Sequence, residues 1–383
     1  MLSSVAATSA KNSGFARQRR WLAAVVVLLL AAAWHPALRY AHAAQFLEAL
    51  SLLGKSEPPR AVRVTSEELV IPGAAGPIRA RLYFRADRPR GPGVVVAHGV
   101  HYRGIDERRL VPFARALARE GLVVLTPELA ELADYRITAS GIGVMTQAVR
   151  YLMTRRDHVS DERVGLLGFS FAGGLALVAA ALPELHGKLS FVTSVGGHQD
   201  LARVLHFLIH DQIATPRGLE HQKAHEYGLV VLVYQRIEAF VPAPDVPVLR
   251  AAFKAWLEED RSGARTFASQ RTTAAGERLW SLLEAGTLNT LGPELDRMLA
   301  SEQRELAALS PSGHLRAIDA PVYLLHGAHD SVIPPSETDF GDGELGNVPH
   351  AALVSPLIEH VEVSGAAGLS AKLKLLAFMA NLF

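Results

Sequence analysis

The chain has 383 residues, 49% of them apolar, and carries Lys+Arg 39 against Asp+Glu 38, for a formal net charge of +1. That length supports a large α/β domain with an insertion, or two domains. The balanced charge gives no footprint for nucleic acid or an acidic partner, and the absence of cysteine excludes a disulfide framework, a thiolate metal site and a cysteine nucleophile.

Lys11, Arg17, Arg19 and Arg20 precede an uncharged apolar run, Trp21 to Trp34, of 14 residues. A full span usually needs roughly 20, and extension through Leu38 reaches a marginal one. Two readings compete. One is an export signal cut after Ala41-His42-Ala43, which has the small-x-small pattern. The other is an uncleaved anchor with Trp21, Trp34 and Tyr40 near the interfaces, favoured by the long gap between the apolar core and the cleavage site. Both place the remainder outside the cytoplasm, periplasmic or secreted, the second with membrane association through residues 21–38 in the inner membrane. Residues 1–44 form this segment and 45–60, amphipathic at Phe46–Leu53 and then Pro58-Pro59, form a linker.

From residue 61 the pattern is that of strands. Residues 62–71 and 78–84 alternate in polarity around a Pro/Gly turn and form an antiparallel pair. Short, continuously apolar runs then alternate with helical segments: Val94–Ala97, a helix over 107–120, Leu122–Leu125, a helix over 138–155, Val164–Leu167, a helix from 171 to about 182, and Leu189–Val195. Such alternation builds crossover units and a parallel sheet covered on both faces. It stops near Gly197. Residues 197–315 read as helical, broken at Pro216, Pro242, Pro244, Pro247, Gly263 and Gly292, and form a cap inserted into an α/β domain made of 61–196 and 316–383. Strands resume at Pro321–Leu325 and Ala351–Val354, and an amphipathic helix over about 367–382 closes the chain.

A serine hydroxyl needs a base, a group to orient that base, and donors for the developing oxyanion. Gly168-Phe169-Ser170-Phe171-Ala172 follows an apolar strand and opens a helix, the context of a nucleophile elbow. Its last position is alanine where the G-x-S-x-G pattern has glycine, with Gly173 and Gly174 next. Asp330, after the Pro321–Leu325 strand and His326-Gly327, is the expected acid, with Asp200 as the fallback. His360 is the expected base, because His350 precedes the last strand and lies at the wrong end of the sheet. The oxyanion donors are the N–H groups of Phe171 and of Val100 in the His98-Gly99-Val100-His101 turn, with His101 next. His206/His210 and His221/His225 have i,i+4 spacing but no H-E-x-x-H pattern, and read as surface or capping residues. Leu229–Tyr234 reads as a core helix of the cap or a wall of the substrate pocket, and both can hold, since a cap must rest on the mouth of the site.

On these residues the sequence resembles the α/β-hydrolase superfamily, serine esterases and lipases with a helical cap, from about residue 61 onward except for the insertion. The shared features are the His98-Gly99 turn, the Gly168–Ala172 elbow, His326-Gly-x-x-Asp330 and His360, in that order. The resemblance implies an eight-stranded, mostly parallel sheet, a Ser170–His360–Asp330 triad and an acyl-enzyme route with no metal or organic cofactor. It does not imply a substrate. The expectation is cleavage of a small carboxylic ester. Acyl transfer, or thioester or amide cleavage on the same triad, is an alternative, and a catalytically inactive, membrane-anchored binding protein is an alternative of another class.

Overall fold

The computed structural model describes residues 35–49, 62–359, 362–363 and 368–383. A helix over residues 35–49 (α1) precedes β1 (Val64–Ile71), β2 (Ile78–Arg85) and β3 (Gly93–Ala97). Then come α2 (Leu110–Arg119), β4 (Val123–Pro127), α3 (Ala130–Ala133), α4 (Ser140–Thr154), β5 (Val164–Phe169), α5 (Phe171–Ala180) and β6 (Leu189–Val195). The insertion holds α6 (Leu201–His210), β7 (Gln212–Thr215), β8 (Gly218–His221), α7 (Glu226–Tyr234), α8 (Ile237–Phe240), α9 (Val246–Leu257), α10 (Arg261–Ala268), α11 (Ala274–Glu284), α12 (Gly292–Ser301) and α13 (Gln303–Ala308). The chain returns through β9 (Val322–Gly327), α14 (Ser336–Leu345) and β10 (His350–Ser355), and ends with a two-stranded hairpin, β11 (Ile358–Glu359) with β12 (Glu362–Val363), and α15 (Leu369–Met379).

Eight strands form one sheet in the order β1-β2-β4-β3-β5-β6-β9-β10. β1/β2 and β2/β4 are antiparallel, and the five pairs from β4 to β10 are parallel. β3 to β6 are the continuously apolar runs of the sequence because both of their faces are covered. Along β3 the side chains alternate between two cores: Val95 and Ala97 face α4, α5 and the cap, while Val94 and Val96 face α1, α2 and α15. The register levels the strand ends. Ala97 lies opposite Gly168, Phe169 opposite Val195, Val195 opposite Leu325, and Gly327 opposite Ser355. The turns after β3, β5 and β9 therefore emerge on one edge of the sheet, the place where open α/β sheets bind ligands.

Three elements differ from the sequence pattern. The insertion is not wholly helical: β7 and β8 form an antiparallel hairpin around Pro216, with strands of four mixed-polarity residues, of which Ile213 alone is buried, too short to carry a periodic signal. α14 was not expected, since glycines at 341 and 343 interrupt its helical pattern. α1 runs through the expected boundary at residue 44. Ala43 and Phe46 are fully buried, Arg39 Nε donates to the Ala380 carbonyl at 3.0 Å, and His42 Nδ1 meets Glu120 at 2.7 Å. Phe46 packs edge-on to Phe113 (5.3 Å), and Phe113 packs edge-on to Phe169 (4.9 Å), the residue before Ser170. Among the described residues no helix is long and apolar enough to cross a membrane, and the Trp21–Trp34 run lies outside them.

Because Phe46 is enclosed by Phe113 and Phe383, Phe46→Ala is expected to destabilise the fold by about 3–5 kcal/mol. Chemical denaturation measures this; a loss below about 1 kcal/mol would show that α1 is dispensable to the core.

Candidate active site

β5 ends at Phe169 and α5 begins at Phe171, so one residue makes the strand-to-helix turn. That residue, Ser170, has φ 54° and ψ −134°. A non-glycine residue there carries strain of order 1–3 kcal/mol, which persists only where the surroundings enforce it. The Ser170 N–H donates to the Val195 carbonyl at 2.8 Å, and its own carbonyl accepts from Gly173 N–H at 2.7 Å. The side chain makes no capping bond to α5, so helix capping does not account for a serine at this position.

The neighbouring glycines answer to close approach. A Cβ on Gly168 would lie 2.2 Å from the Ala172 carbonyl oxygen. On Gly173 it would meet Ser194 Oγ at 2.5 Å, and on Gly174 the His198 ring at 2.3 Å. Ala172 is fully buried and keeps its methyl; the tight contacts fall on the two residues after it. All ten residues of α5 are buried. Its N-terminal N–H groups, Phe171 first, point with the positive end of the helix dipole toward the strand edge that holds Ser170.

The turn after β3 packs on this elbow. A Cβ on Gly99 would stand 3.1 Å from Ser170 Cβ, so only glycine lets the turn approach so closely. His98 is buried. Its Nδ1 donates to the Gly99 carbonyl (2.8 Å) and its Nε2 accepts the Leu129 N–H (2.9 Å). Burial pushes its pKa from 6.5 down to about 4, so it stays neutral and holds this tautomer. Val100, next in the turn, is half-buried, and its carbonyl accepts from Tyr227 Oη of α7 at 2.9 Å. Burial likewise depresses the pKa of His101, whose Nδ1 accepts from the Arg103 N–H at 3.2 Å.

Asp330 sits in the loop after β9, two strands from β5, and is 2% exposed. Its Oδ1 accepts the N–H groups of Val332 (2.8 Å) and Ile333 (3.0 Å), which fixes the carboxylate plane. His326, fully buried, braces the loop: Nε2 donates to the Ile333 carbonyl and Nδ1 pairs with the Thr338 hydroxyl, both at 2.9 Å. Asp200 is structural. Its Oδ1 caps α6 by accepting from Arg203 N–H at 3.0 Å. His350 opens β10 at the opposite end of the sheet and contacts Asp342 at 3.2 Å. The expected base, His360, lies outside the described residues. Of the cap histidines, His210 pairs with Asp296 at 2.9 Å, and His225 caps α7. No group of three metal-ligating side chains occurs among the described residues.

Between the turn after β3, the loop after β9 and the cap lies an open pocket of about 780 Å³, which no residue of the elbow lines. Its walls include Val100 of the turn, Ser331 and Val332 of the acid loop, and Tyr227, Val230 and Trp256 of the cap. The Leu229–Tyr234 run is accordingly both core helix and pocket wall, with Val230 facing the cavity. Sequence inspection did not single out Tyr227 or Gln222. Their contacts with the catalytic edge span more than a hundred residues, and the only local signal for Tyr227 is an aromatic in the first turn of an apolar cap helix.

These features define the α/β-hydrolase fold, and the chain has it. No protein-family model matches the chain, and no curated protein matches it in sequence. Among solved structures it resembles the rice cell wall degrading esterase LipA from Xanthomonas oryzae. A point mutant of LipA superposes with TM-score 0.51 at 15% identity, covering 87% of this chain and 92% of that one. The ligand-bound form gives 0.50 and 14% over the same shares. An acylaminoacyl peptidase from Pyrococcus horikoshii gives TM-score 0.44 at 11% identity over 78% of this chain. This chain spans 38% of the length of that peptidase.

The neutral, buried His98 makes stability pH-dependent. The unfolded imidazole takes up a proton near pH 6.5 and the folded one only near pH 4. Its contribution is therefore complete above pH 6.5 and falls as pH drops to 4, by about 3 kcal/mol at about 1.4 kcal/mol per pKa unit. Desolvation of His198 acts in the same direction. Thermal unfolding is expected to show a clear fall in midpoint between pH 7 and pH 4.5; an unchanged midpoint would contradict the buried neutral assignment. Gly168→Ala is expected to yield no folded protein on size exclusion, because the added methyl collides with main chain that cannot move aside.

Proposed function

We propose that the chain is a serine hydrolase that cleaves a carboxylic ester through an acyl-enzyme. The observation that carries this reading is the strained backbone of Ser170 at the head of a buried helix, on the strand edge shared with the Asp330 loop. Strain of this kind at a one-residue strand-to-helix turn is the structural mark of a nucleophile elbow. The fold shared with an esterase supports the same reading.

In this mechanism Ser170 Oγ attacks the substrate carbonyl carbon while His360 accepts its proton. Asp330 orients the imidazole and stabilises its charged form. The new oxyanion is bound by the N–H groups of Phe171 and Val100. The tetrahedral adduct collapses, the C–O bond to the alcohol breaks, and His360 returns the proton to the leaving oxygen. Water, deprotonated by His360, then attacks the acyl carbon and frees the acid and Ser170. The residues in these roles need neither metal nor organic cofactor. The substrate enters by the open pocket beside Val100, whose walls include Tyr227, Val230 and Trp256 of the cap.

We place the catalytic domain outside the cytoplasm, held at the inner membrane by an uncleaved segment that includes residues 21–38. Docking of α1 on both sides of Ala43 supports the anchor over cleavage, since a chain beginning at residue 44 would lose the Arg39 and His42 contacts.

On a panel of p-nitrophenyl esters, wild type is expected to show a pre-steady-state burst of about one equivalent. Ser170→Ala should lose about 10³-fold or more in kcat, and Asp330→Asn about 10⁴-fold. Turnover by Ser170→Ala equal to wild type would sink the proposal.

A further inference from the structure

One short segment of the cap, residues 222–227, between β8 and the first turn of α7, reaches the loops after both β9 and β3. It makes three hydrogen bonds to main-chain oxygens there. Gln222 Nε2 donates to the Asp330 carbonyl at 3.1 Å, the His225 N–H donates to the Ser331 carbonyl at 2.8 Å, and Tyr227 Oη donates to the Val100 carbonyl at 2.9 Å. Asp330 and Ser331 follow β9, whereas Val100 follows β3. In the sheet β5 and β6 lie between these strands. Six residues of the cap therefore tie the acid loop to the turn after β3, across the strand that carries Ser170.

Tyr227 sets the direction of one N–H of the turn, that of His101. A peptide unit is planar and trans, so its C=O and N–H point opposite ways. The Gly99–Val100 unit is held by His98 Nδ1 on the Gly99 oxygen, which aims the Val100 N–H. The Val100–His101 unit is held by Tyr227 on the Val100 oxygen, which aims the His101 N–H. Each N–H of this turn is thus pointed through the carbonyl of its own peptide, one by the catalytic domain and one by the cap. The Tyr227 ring packs edge-on to Tyr135 at 6.3 Å. Tyr135 is itself buried and held at φ 58°, a conformation that a tyrosine adopts only under constraint. Val100, Tyr135, His225, Tyr227 and Ser331 all line the cavity of about 780 Å³, so a molecule filling it presses on the clamp.

We propose that residues 222–227 are a positioning clamp, with Tyr227 as the positioning residue that makes the oxyanion-binding turn competent only when the cap is seated. The proposal rests on the serine-hydrolase reading above. Tyr227 touches no reacting atom; it acts on the Val100–His101 peptide, whose N–H, that of His101, is the alternative to Val100 as oxyanion donor.

The test compares wild type with Tyr227→Phe, which removes one hydroxyl and keeps the ring, using a soluble p-nitrophenyl ester and an aryl trifluoromethyl ketone, whose adduct carries an oxyanion. The expected result is a fall in kcat of about tenfold, KM within about twofold, and a loss in affinity for the ketone that matches the loss in kcat/KM. Gln222→Ala, acting on the other end of the clamp, should show a smaller loss with the same pattern. If the variants only lower the melting temperature, with kcat per folded molecule and ketone affinity unchanged, the clamp is refuted while the serine-hydrolase reading stands. A folded wild type that neither turns over ester nor binds the ketone overturns both.

Discussion

The site depends on a turn of one residue between a buried strand and a buried helix. β5 cannot enter α5 at that point without a backbone conformation that costs a non-glycine residue energy. The surrounding structure enforces it: two main-chain hydrogen bonds hold Ser170, and Gly168 and Gly173 let the chain fold back on itself. The closeness of Gly99 to Ser170 follows from the same turn, and so does the placing of the next loop on the elbow. A more relaxed turn would be more stable, but it would not hold one hydroxyl clear at the head of a helix.

The electrostatics follow from burial. His98 and His326 are both deep in the protein, and each bridges main chain of a catalytic loop to something rigid. Asp330 receives two N–H donors on one oxygen, so its carboxylate is oriented before any base approaches. Such preorganisation spares the reaction the cost of turning dipoles as charge develops. The cap adds to this, since its segment 222–227 reaches the loop after β9 and the turn after β3 together.

The sheet and the site were legible to different degrees. β3 and β5 stood out because strands covered on both faces are apolar throughout, β6 less so because Ser190, Thr193 and Ser194 interrupt it, and helices spaced between them leave few topologies. The elbow was legible because glycine spacing reports close approach directly. The alanine at 172 departed from the pattern, and its neighbours account for it: Gly173 and Gly174 take the tight contacts. The small hairpin of the insertion was not legible, since four-residue strands with one buried side chain, Ile213, are too short to show a period. Only part of α1 was visible, because its buried positions, Ala43 and Phe46, are few, and its first two turns are exposed throughout. The bond from Tyr227 to Val100 joins residues 127 apart through one hydroxyl, and no local pattern encodes such a contact.

The central claim is that Ser170 is an activated nucleophile. The most direct measurement is reaction of the folded full-length protein with a fluorophosphonate, followed by peptide mapping. The account predicts one covalent adduct per chain, on the peptide containing Ser170, and none in Ser170→Ala. A folded wild type that takes up no label, or one labelled equally in Ser170→Ala, would contradict it.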